Sequence, residues 1–435
     1  MSKEKTKTEK TEKEKKVKKP GRGKRCLIII AIIVGVIGLT VGGIAIANAV
    51  VKKGLLKYAQ GFEAVEYDTQ LKPYLDEDGY WTFKTDNDLK VLQLTDVHIG
   101  GGSFSKNKDM WALNAVATMI RAEKPDVVII TGDIAYPVPF SSGSFNNLVP
   151  TDIFANMMEN LGVYWTFAFG NHDTELYSYY TRKEIVEYYE DKINSKEFNY
   201  CLFQRGYSSE ELGYGNTIIK VVNSENVTTQ ALVLMDSHSY IDGDYFGMLW
   251  KYDNLHQSQV DWYVTEMDKL SAANAAITGN PATPVKNMAF FHIPLVEYRD
   301  AYKEILENGE SENARFIHKN DGKGESDKTK NGVRNYTVYC GMHSDEFFEE
   351  GSTHGLQAVF CGHDHYNNFS ILYKGIRLSY GYSVDYLAYP GIWKEKIQRG
   401  CTVITAHPDG SFDMEYSNYY SEKYESVNTL AGSTH

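Results

Sequence analysis

Hydrophobic positions along the chain fall into two regimes. Residues 26–51, CLIIIAIIVGVIGLTVGGIAIANAVV, form one run without a charge. As a helix this run reaches about 39 Å at 1.5 Å per residue, more than the roughly 30 Å hydrocarbon core of a bilayer. After Asp86 the pattern changes to short apolar runs that end in Gly, Asp or His and are followed by stretches of helical spacing. Residues 91–94, 127–130 and 163–169 read as strands, and residues 108–123 and 152–161 between them as helices, the first stopped at Lys124-Pro125. Strand, helix, strand is the grammar of right-handed βαβ units. Further strands are expected at 217–222, 231–235, 288–291, 357–360, 371–379 and 402–406. Helical periodicity returns at 257–273, where Val260, Tyr263, Val264 and Met267 share one face. Residues 308–335 are rich in Gly, Lys, Asp, Ser and Asn and read as a long surface insertion.

Charge sharpens the membrane reading. The first 25 residues hold 12 Lys/Arg against 4 Asp/Glu, so they carry +8, while the rest of the chain carries −20 of the overall −12. Such a Lys/Glu/Thr tail buries no core. By the positive-inside bias the tail stays cytoplasmic and the bulk of the chain lies outside, although Lys52 and Lys53 on the far side soften the asymmetry. A cleaved signal peptide is the competing reading, because Ala45-Ile-Ala47 and Ala47-Asn-Ala49 both fit an A-x-A cleavage site. The run is longer than the roughly 7–15 residues of a signal core, which favours a retained anchor. The expected order is a tail (1–25), a transmembrane helix (26–51), a stalk and entry to the domain (52–87), one catalytic domain (88–410) and a C-terminal tail (411–435).

Composition excludes several classes. With 42% hydrophobic residues over 435 positions the chain can bury a large core, which rules out global disorder. The acidic remainder argues against nucleic acid held by charge. Five cysteines at wide spacing, with no C-x-x-C pair, signal neither a disulfide scaffold nor a thiolate zinc site.

Five short motifs close apolar runs: Asp96-Val-His98, Gly132-Asp133, Gly170-Asn-His-Asp173, Phe291-His292 and Gly362-His-Asp-His365. One buried Asp or His is more often a hydrogen-bonded structural residue than a ligand. Together these motifs put carboxylates, imidazoles and an amide at the carboxyl ends of successive strands, where open α/β sheets bind ligands. In order and strand context the sequence resembles the calcineurin-like metallophosphoesterase superfamily over about residues 88–410. The runs 290–298 and 361–365 are most similar to its purple-acid-phosphatase-like branch.

The resemblance implies an α/β fold, a two-layer β-sandwich flanked by helices, with two metal ions at one end. It assigns Asp96, His98, Asp133 and His365 to one ion and Asp133, Asn171, His292 and His363 to the other, with Asp133 as the shared carboxylate. Mixed nitrogen and oxygen donors favour Fe, Zn or Mn without choosing among them. A hydroxide held by both ions would attack phosphorus. His172 corresponds to the family histidine that contacts phosphate or protonates the leaving oxygen, and Asp173 is expected to orient it. Tyr136 completes a G-D-x-x-Y pattern whose tyrosine binds ferric iron in purple acid phosphatases. Those enzymes lack the histidine found here as His98, so Tyr136 is expected beside the ions rather than on them.

The expected activity is therefore that of a membrane-anchored extracellular phosphatase acting on phosphomonoesters. A phosphodiesterase acting on nucleotides, glycerophosphodiesters or envelope polymers would use the same donors. A catalytically silent surface module would show gaps in the donor set, and this sequence shows none. The expected partners are a phosphate ester and the bilayer. His238, His256, His318, His343, His354, His407 and His435 read as structural or surface residues.

Overall fold

The computed structural model describes residues 22–209, 211–324, 329–330, 333–334, 338–389, 391–392 and 396–425. The tail expected over residues 1–25 lies, up to residue 21, outside the described residues. Contacts divide the chain into two units, Met1–Ala47 and Asn48–His435. In the first unit the described residues are helical and their apolar side chains, among them Leu27, Ile33 and Leu39, are exposed. The helix runs Arg22–Ala59, and its Gly23–Ala59 stretch is long and apolar enough to cross a membrane.

Among the described residues the second unit is built on two large sheets, beside the separate pair Thr329–Lys330 and Val333–Arg334. In the smaller, the strands run in the order Phe412–Asn418, Gly400–Ala406, Leu89–Leu94, Val127–Thr131, Tyr164–Ala168, the last three parallel. The larger has ten strands, with Thr228–Leu234, Asn287–Phe290, Leu356–Cys361 and Ile376–Tyr380 in parallel register at its centre.

Alternation along each strand decides the layers. Leu89, Val91, Val127 and Ile129 of the small sheet meet Leu232, Leu234, Met288, Phe290, Ala358 and Phe360 of the large one in a single buried cluster between the sheets. Their neighbours Leu92, Leu94, Val128 and Ile130 face the other way, onto helices Lys106–Glu123, Leu148–Leu161 and Arg182–Asn194. Ala231, Val233, Ala289 and Val359 pack likewise under helices Gln257–Thr278, Val296–Asn308 and Phe347–Thr353. The result is the helix-flanked β-sandwich. All five cysteines are free, four of them buried.

Several boundaries differ from the sequence expectation. The stalk and domain entry expected at residues 52–87 are domain throughout: Leu55, Ala59 and Phe62 are buried in the helical core, and Trp81–Lys84 joins the large sheet parallel to Gly213–Val222. Residues 411–418 are no tail, since Phe412–Asn418 pairs along its whole length with Gly400–Ala406. Within 308–335, Ala314–His318 is an edge strand on Ser370–Tyr373; residues 325–328, 331–332 and 335 lie outside the described residues. The run 371–379 is a hairpin, Ser370–Tyr373 with Ile376–Tyr380, turning at Lys374-Gly375, both at positive φ.

One buried acid pair gives a pH prediction away from the motifs. Burial, helped by the Glu297 charge, pushes the Asp345 carboxyl up to about 7, and burial with Glu349 and Asp300 pushes Glu297 up to about 7. A carboxyl whose folded pKa exceeds its unfolded value near 4 favours folding while protonated. That stabilisation is complete below about pH 4 and is lost as pH rises through 7. Asp345→Asn should therefore gain about 2 kcal/mol on the wild type between pH 5 and 8.5, read as a thermal midpoint that falls less with pH.

Candidate active site

Each motif leaves the carboxyl end of a strand. Asp96 and His98 follow Leu89–Leu94, Asp133 follows Val127–Thr131, and Asn171 to Asp173 follow Tyr164–Ala168. His292 follows Asn287–Phe290, and His363 and His365 follow Leu356–Cys361. Both sheets thus send their loops to one edge of the sandwich. Asp96, His98, Asp133 and His363 all adopt positive φ (52°, 53°, 56° and 76°), a conformation that costs an L-residue of order 1–3 kcal/mol. Asp96 N–H to Gly132 O (3.1 Å) and His98 N–H to Asp133 O (3.0 Å) hold the first two loops together. Gly132, at φ +86°, cannot be replaced: a Cβ there would lie 2.5 Å from His292 Nδ1.

The sequence-predicted residues converge on two adjoining clusters. One donor atom each from Asp96, His98, Asp133 and His365, all buried, lie within 4.8 Å of one another. Asp133 Oδ2 is 3.1 Å from His98 Nε2 and 3.1 Å from His292 Nε2. Asn171 Oδ1 is 3.1 Å from His292 Nε2 and 3.0 Å from His363 Nδ1. The amide is turned oxygen-inward because its Nδ2 donates to Tyr240 Oη at 2.9 Å. Asp133 therefore touches both halves of the site.

The hydrogen bonding shows that these atoms suit cations. His292 Nδ1–H donates to Thr131 O at 2.8 Å, and a backbone carbonyl only accepts. In the neutral ring, Nε2 then presents a lone pair to Asp133 Oδ2 and Asn171 Oδ1, both acceptors. Lone pairs meeting at 3.1 Å need a proton or a metal ion between them, and imidazole, carboxylate and amide oxygen are the donors that Fe, Zn and Mn accept. Against the effect of burial, His292 and His172 hold the Asp133 carboxyl well below the usual range, and Asp133 pushes His292 up to about 9.

Two residues that the motifs did not announce complete the site. Asp385 is fully buried and spans two histidines, with Oδ1 3.4 Å from His98 Nδ1 and Oδ2 3.0 Å from His365 Nδ1. Despite burial, His98 and His365 keep it ionised, well below the usual carboxylate range, and with Asp133 it pushes His98 up to about 10. An imidazole whose far nitrogen is held by a carboxylate presents its other nitrogen in fixed orientation. Glu175 is the second: its Oε1 lies 2.7 Å from His172 Nδ1 and accepts from Tyr240 Oη at 3.1 Å.

Glu175 thereby takes the place expected for Asp173. The Asp173 carboxylate accepts instead from backbone N–H groups of Asp133 (3.0 Å), Ala135 (2.8 Å) and Gly170 (2.8 Å), so it shapes the Asp133 loop. His172 is tied to the same loop by its own N–H, which donates to Asp133 Oδ1 at 2.8 Å, and its ring stays partly exposed. Tyr136 stacks on His98 (4.6 Å between centroids) and meets His172 edge-on at 4.8 Å. Burial, then Asp385 and Asp133, push the Tyr136 phenol above its ordinary range, as befits a neutral wall. His238 faces elsewhere, stacked on His256 at 4.0 Å and bonded to Gln259.

Glu175→Gln should lower kcat about tenfold to a hundredfold while bound metal is unchanged, if His172 transfers a proton to the leaving oxygen. Initial rates over a series of leaving groups check this, because the loss should grow as the leaving alcohol becomes more basic.

A layered sandwich with Asp, His and Asn gathered at its strand ends is the architecture of a metal-dependent phosphoesterase. The calcineurin-like phosphoesterase family model matches residues 89–367, and the chain belongs to that family. Among curated proteins it is 25% identical over 334 residues to "Probable inactive purple acid phosphatase 14" of Arabidopsis thaliana, covering 73% of this chain and 75% of the plant protein. It is 26% identical over 309 residues to "Phosphatase DCR2" of Saccharomyces cerevisiae, covering 65% of this chain and 45% of the yeast protein. Among solved structures, a dimetal phosphatase from Danio rerio aligns at TM-score 0.43 and 10% identity, covering 77% of this chain and 98% of that one.

Proposed function

We propose that the chain is a membrane-anchored, outward-facing phosphatase that hydrolyses phosphomonoesters with two metal ions. One observation carries the reading: Asp133 sits between two buried donor sets, 3.1 Å from a histidine of each. Asp96, His98, Asp133 and His365 would hold one ion, and Asp133, Asn171, His292 and His363 the other, as Fe, Zn or Mn. Two cations there would supply positive charge for the phosphoryl oxygens and would acidify a water for attack. The chain's own groups do the remaining work. Asp385 fixes His365 and faces His98 with its charge, and Tyr240 turns the Asn171 oxygen inward. His172, backed by Glu175, contacts the phosphate or protonates the leaving oxygen, and Tyr136 walls the pocket against water. The apolar run supports the anchor, and the Lys/Arg excess before it supports an outward domain.

A silent binding module is the second reading, raised by the word "inactive" in the name of the plant relatives. The unbroken donor set here speaks against it. The test takes the full chain in detergent, strips metal, restores Mn, Zn or Fe, and compares initial rates on p-nitrophenyl phosphate and bis-p-nitrophenyl phosphate. A dominant metal-dependent monoester rate is expected. A dominant diester rate would replace the monoester reading, and no metal-dependent turnover of either would favour the silent module.

A further inference from the structure

We propose that the catalytic unit docks onto anionic phospholipid headgroups through the face around Asn48, rather than swinging freely on its anchor. The inference rests on the anchor reading above. A helix crosses the roughly 30 Å core of a bilayer in about 20 residues. Counted from the basic pair Lys24-Arg25, that length is used up near Ala45, which leaves Asn48 in the headgroup layer on the far side.

Asn48 is the first residue of the catalytic unit and is bonded to two of its loops. Its Oδ1 accepts from Ser103 N–H and its Nδ2 donates to Gly143 O, both at 2.8 Å. The loops so held carry two exposed aromatic side chains, Phe104 (58% exposed) and Phe140 (95%). Phe104 N–H donates to Ser142 O at 3.1 Å, so the two loops form one surface. A nearly bare phenylalanine is costly in water and is what a surface presents to the boundary between headgroups and acyl chains.

Charge on the same side matches anionic lipid. An open groove of about 630 Å³ is lined by Lys57, Tyr58, Phe62, Lys106, Met110 and Arg121, together with Glu63. Arg121 pairs with Glu63 at 3.4 Å, while Lys57 and Lys106 are exposed and meet no acid among the described residues. Lys106 stands two residues from Phe104, while Lys57 lies about 13 Å further along the helix than Asn48. Two free ammonium groups beside an apolar cleft complement a lipid phosphate above its acyl chains. The short stretch between Tyr136 and Phe140 also links the wall of the active site to this face, so docking holds the site at the leaflet surface.

The test uses the full chain with Cys26→Ser, whose other cysteines are buried, in nanodiscs of phosphatidylcholine with or without phosphatidylglycerol. A nitrobenzoxadiazole label is attached at Phe140→Cys, at Leu39→Cys within the apolar run, or at Glu225→Cys on the exposed turn after the strand Gly213–Val222, and is quenched by spin-labelled lipids. Docking predicts strong quenching at 39 by deep labels and at 140 by shallow labels, with none at 225. It also predicts that Lys106→Gln lowers the docked-to-undocked ratio about fivefold in anionic discs only. Quenching at 39 with 140 behaving like 225 would overturn docking and leave the anchor standing. Absence of quenching at 39 would remove the anchor and docking together. Equal quenching at 140 in both lipids would overturn the headgroup assignment.

Discussion

Asp133→Asn is expected to abolish phosphate-ester hydrolysis and to lower bound metal, with the fold intact. The asparagine is nearly isosteric, its oxygen can still accept from His172 N–H, and the bond from His98 N–H to Asp133 O does not depend on the side chain. What is lost is the negative charge that faces His98 and His292 at 3.1 Å each. Asparagine offers one oxygen and no charge where two cations would meet, so their mutual repulsion is no longer offset. The loss should exceed the roughly tenfold to hundredfold that follows removal of an outer partner of a metal site. Elemental analysis and initial rates on the same preparation check it, and full activity with full metal would remove the mechanism.

Asp385→Asn should cost about tenfold to a hundredfold in metal affinity, with a matching loss of activity at limiting metal. Asp385 touches no other donor of the site except His365, whose far nitrogen it holds at 3.0 Å, and His98, whose Nδ1 it faces at 3.4 Å. Its Oδ1 also accepts from Leu387 N–H (2.6 Å) and Ala388 N–H (2.8 Å), which asparagine can still satisfy through its oxygen, whereas the Tyr389 N–H bond to Oδ2 (2.5 Å) is lost. The variant should therefore keep its far-ultraviolet spectrum and recover rate when metal is added in excess. Failure to recover at any metal concentration would mean that Asp385 acts on the loop rather than on the ligands.

These two residues mark how far the sequence could be read. Asp133 was legible because Gly132-Asp133 ends an apolar run in step with four similar motifs, and the structure brings all seven expected donors to one edge. Asp385 was not, because it lies in the run GYSVDYLAY, which resembles core, and meets its partners only through the fold. A charged residue in so apolar a run was the available signal. Glu175 was hidden by its neighbour Asp173: one carboxylate sits beside His172 in sequence, and the other beside it in space. The domain begins earlier than the expected stalk for a plainer reason. Leu55, Ala59 and Phe62 are spaced i, i+4, i+7, a helical core stripe masked by Lys52, Lys53 and Lys57. The strand Phe412–Asn418 alternates apolar and polar residues, as an edge strand with one wet face does.

The central claim is a two-ion site that shares Asp133, and counting metal against turnover tests it most directly. Stripped full-length chain is titrated with Mn, Zn or Fe, and bound metal per chain is measured beside the rate on p-nitrophenyl phosphate. Activity should rise until two ions are bound per chain and then level off, with Asp133→Asn inactive throughout. Full activity at one ion per chain, or turnover that persists in the stripped protein, would contradict it.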